Sequence, residues 1–174
     1  GLRSVVYVII KTKEYLMIKV MFVCHGNICR SPMAEFLFKD MVKKLGIADK
    51  FKITSSATST EEIWNDIGNP VHPGTVKKLS SLGISCSDKR AVQITKADYQ
   101  YYDYIICMDN MNLRNIHRIC GEDIDGKIFK MLSFCGENGD VADPWYTGNF
   151  DETYYDINRG LNAFLEYLKK QREI

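Results

Sequence analysis

A chain of 174 residues, 45% hydrophobic and 26% charged, has the length for one domain with a real core and lacks the composition of a disordered segment. Its formal net charge of +1 gives no global field for nucleic acid or a membrane surface, so any anion must be held locally. Six cysteines at irregular spacing, with no C-x-x-C or H-x-x-x-H pair, predict reduced thiols in a cytoplasmic setting, with no metal site and no cofactor.

The first sixteen residues contain "SVVYVII", too short to span a bilayer. Met17 then opens "MIKVMFVC", which reads as a domain start. Residues 1–16 are therefore expected to be an extension, either foreign to the natural chain or non-essential, with the domain over residues 17–174. Ile18 to Cys24 is a short apolar run, as a strand buried on both faces should be. Ser31 is placed to cap a helix with Pro32 at its first position. Ala34, Leu37, Phe38, Met41, Val42 and Leu45 recur at helical spacing up to Gly46.

Phe51–Thr54 reads as a weaker strand, leading into the polar "SSATSTEEIWNDIGNP". Val76, Leu79 and Leu82 predict a short helix after Pro73, stopped at Gly83. Tyr104–Met108 is the next strand, Met111 to Ile119 a helix, and Ile128–Leu132 a further strand. Ile157, Leu161, Phe164, Leu165 and Leu168 trace one face of a terminal helix. Alternation of this kind implies a parallel sheet covered on both sides, with ligands beyond the carboxyl ends of the strands.

Cys24 ends the first strand, and Arg30 follows on a strand-to-helix turn. Such a turn gathers backbone N–H groups and the positive end of a helix, and so can wrap a tetrahedral oxyanion. Arg30 adds a planar fork that can hold two oxygens at once. The same surroundings favour a charged sulfur over a thiol, which makes Cys24 a candidate nucleophile beneath a bound phosphoryl group.

"CHGNICRSPMAE" closely resembles the signature of the low-molecular-weight protein tyrosine phosphatases, C-x-G-N-x-C-R-S-P. Cys24, Gly26, Asn27, Cys29, Arg30, Ser31 and Pro32 fill every fixed position, and the similarity extends through "QITKADYQYYDYIICMDNMNLRNI" and "DPWYTGN". The resemblance implies a single-domain α/β three-layer sandwich, flavodoxin-like, with a four-stranded parallel sheet and helices on both faces. It also implies metal-free, two-step hydrolysis of phosphotyrosine and aryl phosphates through a phosphocysteine at Cys24. The phosphoryl oxygens would be held by His25, Gly26, Asn27, Ile28, Cys29 and Arg30. Asn27 would fix the loop, Ser31 would stabilise the thiolate, and Ser55, Asp109 and Asn112 would brace the surroundings. Asp143, in the Asp-Pro-aromatic loop, would be the general acid and then the base.

In the same family, aromatic residues of two bordering loops wall the slot. Trp64 and Tyr146 are the expected walls, with Trp145 able to exchange roles with Tyr146. Cys29 would be the redox partner of Cys24 under oxidation. Some relatives carry a histidine that braces the loop asparagine near "SCSDKRAVQI"; this segment has none, so that part of the network is left open. His25 is expected to contribute its amide, with His72 and His117 on the surface. The partners implied are phosphotyrosine proteins, with inorganic phosphate or sulfate as a site ligand, no nucleic acid and no membrane, for a monomer or weak dimer.

Three rivals stand beside this reading. A thioredoxin-coupled arsenate reductase would need a further cysteine pair spaced by about six residues, and Cys86 to Cys107 is too long for it. A protein-arginine phosphatase typically has threonine before the second loop cysteine, where this chain has Ile28. A module that only binds phosphoproteins would have no use for Cys24, Arg30 and Asp143 together.

Overall fold

The structure, a computed structural model, describes the backbone of residues 1–174 and the side chains of all but residues 11–15. Its centre is a four-stranded sheet in the order β2-β1-β5-β6, formed by β1 (Ile18–Cys24), β2 (Phe51–Ala57), β5 (Tyr104–Cys107) and β6 (Ile128–Lys130). All three pairings are parallel. Between them run α2 (Arg30–Lys44), the two-strand hairpin β3 (Ile63–Trp64) and β4 (Ile67–Gly68), α3 (Pro73–Ser81), α4 (Lys96–Tyr101) and α5 (Asn110–Cys120). The chain closes with α6 (Pro144–Thr147) and α7 (Phe150–Lys170).

The period of two along β1 sorts its side chains into two layers. Val20, Phe22 and Cys24 enter the larger core under α2 and α7, while Met21 and Val23 join Ile105, Cys107, Tyr99 and Ile116 on the α4 and α5 face. Phe38 of α2 centres the larger core, with ring centroids 5.9 Å from Phe22, 5.3 Å from Phe51 and 5.4 Å from Phe164. Truncating so enclosed a ring costs about 3–5 kcal/mol. The terminal helix lays Ile157, Leu161, Phe164, Leu165 and Leu168 onto the same layer. Asp151 and Glu152 lie in its first turn and Lys169 and Lys170 in its last, as the helix dipole favours.

From β1 the chain passes to β2 on one side, and later to β5 on the other. The order therefore reverses at β1, and a crevice opens at its carboxyl end, where Cys24 stands.

Several boundaries differ from the sequence reading. The expected strand at Ile128–Leu132 ends at Lys130 and turns into a 3₁₀ segment, Met131–Cys135. Ser31 does not cap α2: the helix begins at Arg30, which puts Ser31 and Pro32 at its second and third positions, and its N-cap, Cys29, makes no side-chain cap bond; the Ser31 hydroxyl lies instead beside Cys24. Residues 2–16 form a helix, α1 (Leu2–Leu16), where Leu2, Val5, Val6, Ile9, Ile10 and Leu16 are exposed. Among the described residues no helix is long and apolar enough to cross a membrane. With residues 1–10 and Leu16 exposed, a chain beginning at Met17 is expected to unfold within a few degrees of the full chain and to keep its turnover; thermal denaturation and an aryl phosphate assay check both.

Candidate active site

The loop from Cys24 to Arg30 is built by tying its carbonyls to the scaffold. Cys24 O accepts from Thr58 N, His25 O from Ser59 N and Oγ, Ile28 O from His72 N, and Cys29 O from Thr75 Oγ1. In a trans peptide the N–H opposes the C=O. The amides of His25, Gly26, Cys29 and Arg30 therefore face away from the scaffold. Asn27 takes the left-handed conformation, at φ 58°, and its backbone N–H points back to Cys24 Sγ at 3.3 Å. Its side chain spends every polar atom: Nδ2 donates to Ser31 Oγ at 2.8 Å and Ser55 Oγ at 2.9 Å, and Oδ1 accepts from Val92 N at 3.1 Å. Ser31 Oγ accepts from Asn27 Nδ2 and has one proton to give, with Cys24 Sγ at 3.0 Å and Ser56 O at 3.3 Å as its acceptors. The sulfur is thus met by one backbone donor and one hydroxyl.

Arg30 is 2% exposed, and its guanidinium lies among acceptors. Nη1 donates to Asp109 Oδ2 at 2.7 Å and Val141 O at 2.8 Å, and Nη2 to Asp143 Oδ2 at 3.4 Å. Burial works against its charge, but Cys24, Asp109 and Asp143 outweigh it and hold the proton more tightly than usual. Asp109 serves twice, because its Oδ1 caps α5 through Asn112 N while its Oδ2 takes Arg30. Asn112 returns the capping box by accepting from Met108 N and Asp109 N. Asp143 caps the one-turn α6 through Trp145 N at 3.1 Å.

Beneath the loop is a charge cluster around the buried Glu35 that sequence reasoning missed. Ser55 Oγ donates to Glu35 Oε1 at 2.6 Å, and Lys39 pairs with Glu35 Oε2 at 2.6 Å. Lys89 Nζ donates to Ser55 O at 2.8 Å and lies 3.8 Å from Glu35. Burial makes Lys89 give up its proton more readily than usual, with Glu35 pulling the other way. The segment that lacks a histidine therefore braces Asn27 by other means: the Val92 amide directly, and Lys89 through Ser55. The Glu35–Lys39 spacing was the only local signal, a carboxylate and an amine one turn apart on α2.

The cavity above Cys24 is lined by the loop, by Asp143, Trp145 and Tyr146 on one side and by Glu61 and Glu62 on the other. Trp64, expected as a slot wall, does not line it. It pairs with Ile67 across the β3–β4 hairpin and is 78% exposed, since Asn65 and Asp66 turn left-handed and carry the hairpin outward. Glu61 and Glu62 occupy that side instead, Glu61 held by His25 Nε2 at 2.9 Å and Glu62 by Asn69 Nδ2 at 2.7 Å. His72 is not a bare surface residue either. It is half-buried and caps α3, accepting from Gly74 N at Nδ1. Cys29 is buried beside Cys24 and Asp143, and desolvation followed by those charges pushes its thiol up to about 12.

In sequence and fold the chain is similar to known proteins. Residues 19–174 match the family model described as low molecular weight phosphotyrosine protein phosphatase. The low molecular weight protein-tyrosine-phosphatase YfkJ of Bacillus subtilis is 39% identical over 160 residues, 91% of this chain and 100% of that protein. PtpA of Staphylococcus epidermidis is 38% identical over 159 residues, 91% of this chain and 98% of that protein. The crystal structure of YfkJ superposes with a TM-score of 0.83, covering 89% of this chain and 96% of its own. A low molecular weight protein tyrosine phosphatase from Streptococcus pyogenes superposes at 0.76, with 42% identity over 87% of this chain and 93% of its own. With its sulfur, guanidinium and carboxylate gathered at the switch point of a four-stranded parallel sheet, this chain belongs to the low molecular weight phosphotyrosine protein phosphatase family.

Proposed function

We propose that the protein hydrolyses phosphotyrosine in proteins, and small aryl phosphates, in two steps at Cys24. The observation that carries this reading is the Cys24 sulfur, met by Asn27 N–H and Ser31 Oγ at the base of a cavity whose wall holds Arg30 and Asp143. In the first step the Cys24 thiolate attacks phosphorus and the bond to the aryl oxygen breaks. The electron pair leaves on that oxygen, and protonated Asp143 supplies its proton, so phenol departs. In the second, the Asp143 carboxylate takes a proton from water, the water oxygen attacks phosphorus, the S–P bond breaks and phosphate is released with the thiolate restored. The loop amides and Arg30 stabilise the charge that gathers on the equatorial oxygens.

Ile28 and Trp145 give the cavity apolar surface suited to an aryl ring. Glu61 and Glu62 at its other side disfavour acidic residues flanking the phosphotyrosine. Cys86 and Cys107 are buried in different core clusters, an arrangement that does not favour a thiol relay of the arsenate reductase kind. The test is a metal-free activity profile on phosphotyrosine, phosphoserine and phosphoarginine peptides. Phosphotyrosine should be cleaved at least about tenfold faster than the others, a difference a single pocket readily supplies. A preference for phosphoarginine would overturn the reading.

Oxidation offers a second check on the same site. Peroxide converts the Cys24 thiolate to a sulfenic acid, and the Cys29 sulfur then displaces its oxygen as water to close a disulfide. Inactivation is expected to be reversed by dithiothreitol, and to become irreversible in Cys29→Ser. Once Cys24 is oxidised its charge no longer acts on Cys29, but burial and Asp143 still hold the Cys29 thiol up, so its reactive thiolate is scarce at neutral pH. The closure rate should rise about tenfold per pH unit through the neutral and mildly alkaline range; stopped-flow oxidation followed by thiol counting measures it.

A further inference from the structure

Proton delivery demands that Asp143 stand at a set height above the cradle, yet Asp143 sits on a single helical turn whose Trp145 and Tyr146 are 59% and 84% exposed. Such a turn holds its place poorly by itself. Arg30 ties it from inside through Val141 O and Asp143 Oδ2. From α7, Thr153 Oγ1 donates to Ala142 O at 3.3 Å, and from α3 His72 touches Trp145.

His72 faces three elements at once. Its N–H donates to Ile28 O at 2.8 Å, and three residues later Thr75 Oγ1 donates to Cys29 O at 3.0 Å, so the start of α3 grips two successive carbonyls of the cradle. Its ring accepts from Gly74 N at Nδ1, 3.0 Å, which fixes the ring's orientation. One face of that ring stacks on Phe150, 5.2 Å between centroids at 19°, and its edge meets Trp145 at 5.8 Å and 79°. Phe150 begins α7, and it comes so close that a Cβ on Gly74 would lie 2.3 Å from its ring. The backbone of His72 is thus registered on the cradle while its ring is registered on the acid loop.

We propose that His72 is a positioning residue that sets the separation between the Asp143 carboxyl and the leaving oxygen held over Cys24, a role that rests on Asp143 being the general acid. A misplacement of about 1 Å in such a group can cost up to 100-fold in rate. The effect falls on proton delivery and spares phosphate binding.

The test follows kcat/KM, which reports the first phosphoryl transfer, across aryl phosphates whose phenols range from strongly to weakly acidic. Acidic phenols leave without a proton, whereas weakly acidic ones need it. His72→Asn keeps a good N-cap and removes the ring. It should lose about tenfold or more on the weakly acidic phenols and little on the most acidic one, steepening the leaving-group dependence. Trp145→Leu, which removes the other half of the contact, should steepen it likewise and serves if His72→Asn does not fold. His72→Phe should restore much of the loss. A uniform loss across the series, or none, would overturn the proposal. Asp143→Asn separates the two levels: if it steepens the series and the His72 and Trp145 variants do not, the positioning role alone fails. If it does not steepen the series, the acid assignment fails and takes this role with it.

Discussion

Cys24→Ser removes turnover, with kcat on aryl phosphates falling on the order of 10⁴-fold or more, as for other essential nucleophiles. The hydroxyl is nearly isosteric with the thiol, but it holds its proton far more tightly and gives a poor attacking atom near neutral pH. What remains is the cradle. The tied carbonyls, the left-handed Asn27 and the buried guanidinium are untouched, so phosphate, sulfate and phosphotyrosine peptides should still bind. Isothermal titration with phosphate, paired with a turnover assay, separates the two properties. Loss of both together would mean that the sulfur organises the loop instead of reacting on it.

Arg30→Met strikes both activity and stability. The guanidinium is surrounded by Asp109, Val141 O and Asp143, and removing it leaves two carboxylates facing each other without a cation. Breaking a buried ion pair from one side costs about 3–5 kcal/mol. For a chain of this size that lowers the melting midpoint by about 10 °C. On the mechanism proposed above, kcat/KM should fall by about 10³-fold or more, since the fork that would stabilise the transferring phosphoryl group is gone. Arg30→Lys keeps a charge near Asp109 and should recover much of the stability while recovering little activity, because an ammonium cannot hold two oxygens in a plane. Scanning calorimetry and initial rates on the pair would show whether charge or fork matters; equal rescue of both properties by lysine would contradict this account.

Much of the fold was legible because buried layers are periodic. The apolar run of β1, interrupted only by Lys19, and the spaced apolar faces of α2 and α7 name their own burial. The cradle was legible too, because its residues lie within seven positions of one another. The two-residue strands were not, because the β3–β4 hairpin has too few side chains to show a period. The helix α4 was passed over although Thr95 and Asp98 spell a capping box at its start.

Long-range ties left no local trace. Val92 N reaches Asn27 across 65 positions, and nothing near "KRAVQI" announces that a main-chain amide will do the bracing. Ser31 misled for a related reason: a serine before a proline suggests a cap, yet here its hydroxyl is needed by the sulfur. Trp64 was placed in the wall by analogy of position, whereas the left-handed pair Asn65 and Asp66 swings it outward.

Arg30 joins the loop after β1 to acceptors 79 and 113 positions away in the chain. A growing polypeptide therefore carries Cys24 long before the carboxylates that complete its surroundings have emerged from the ribosome. Until Asp109 and Asp143 arrive, the guanidinium lacks the two carboxylates it pairs with in the finished fold. On the mechanism proposed above a partial chain would be inactive for that reason, and turnover would serve as a sensitive readout that the whole domain has come together.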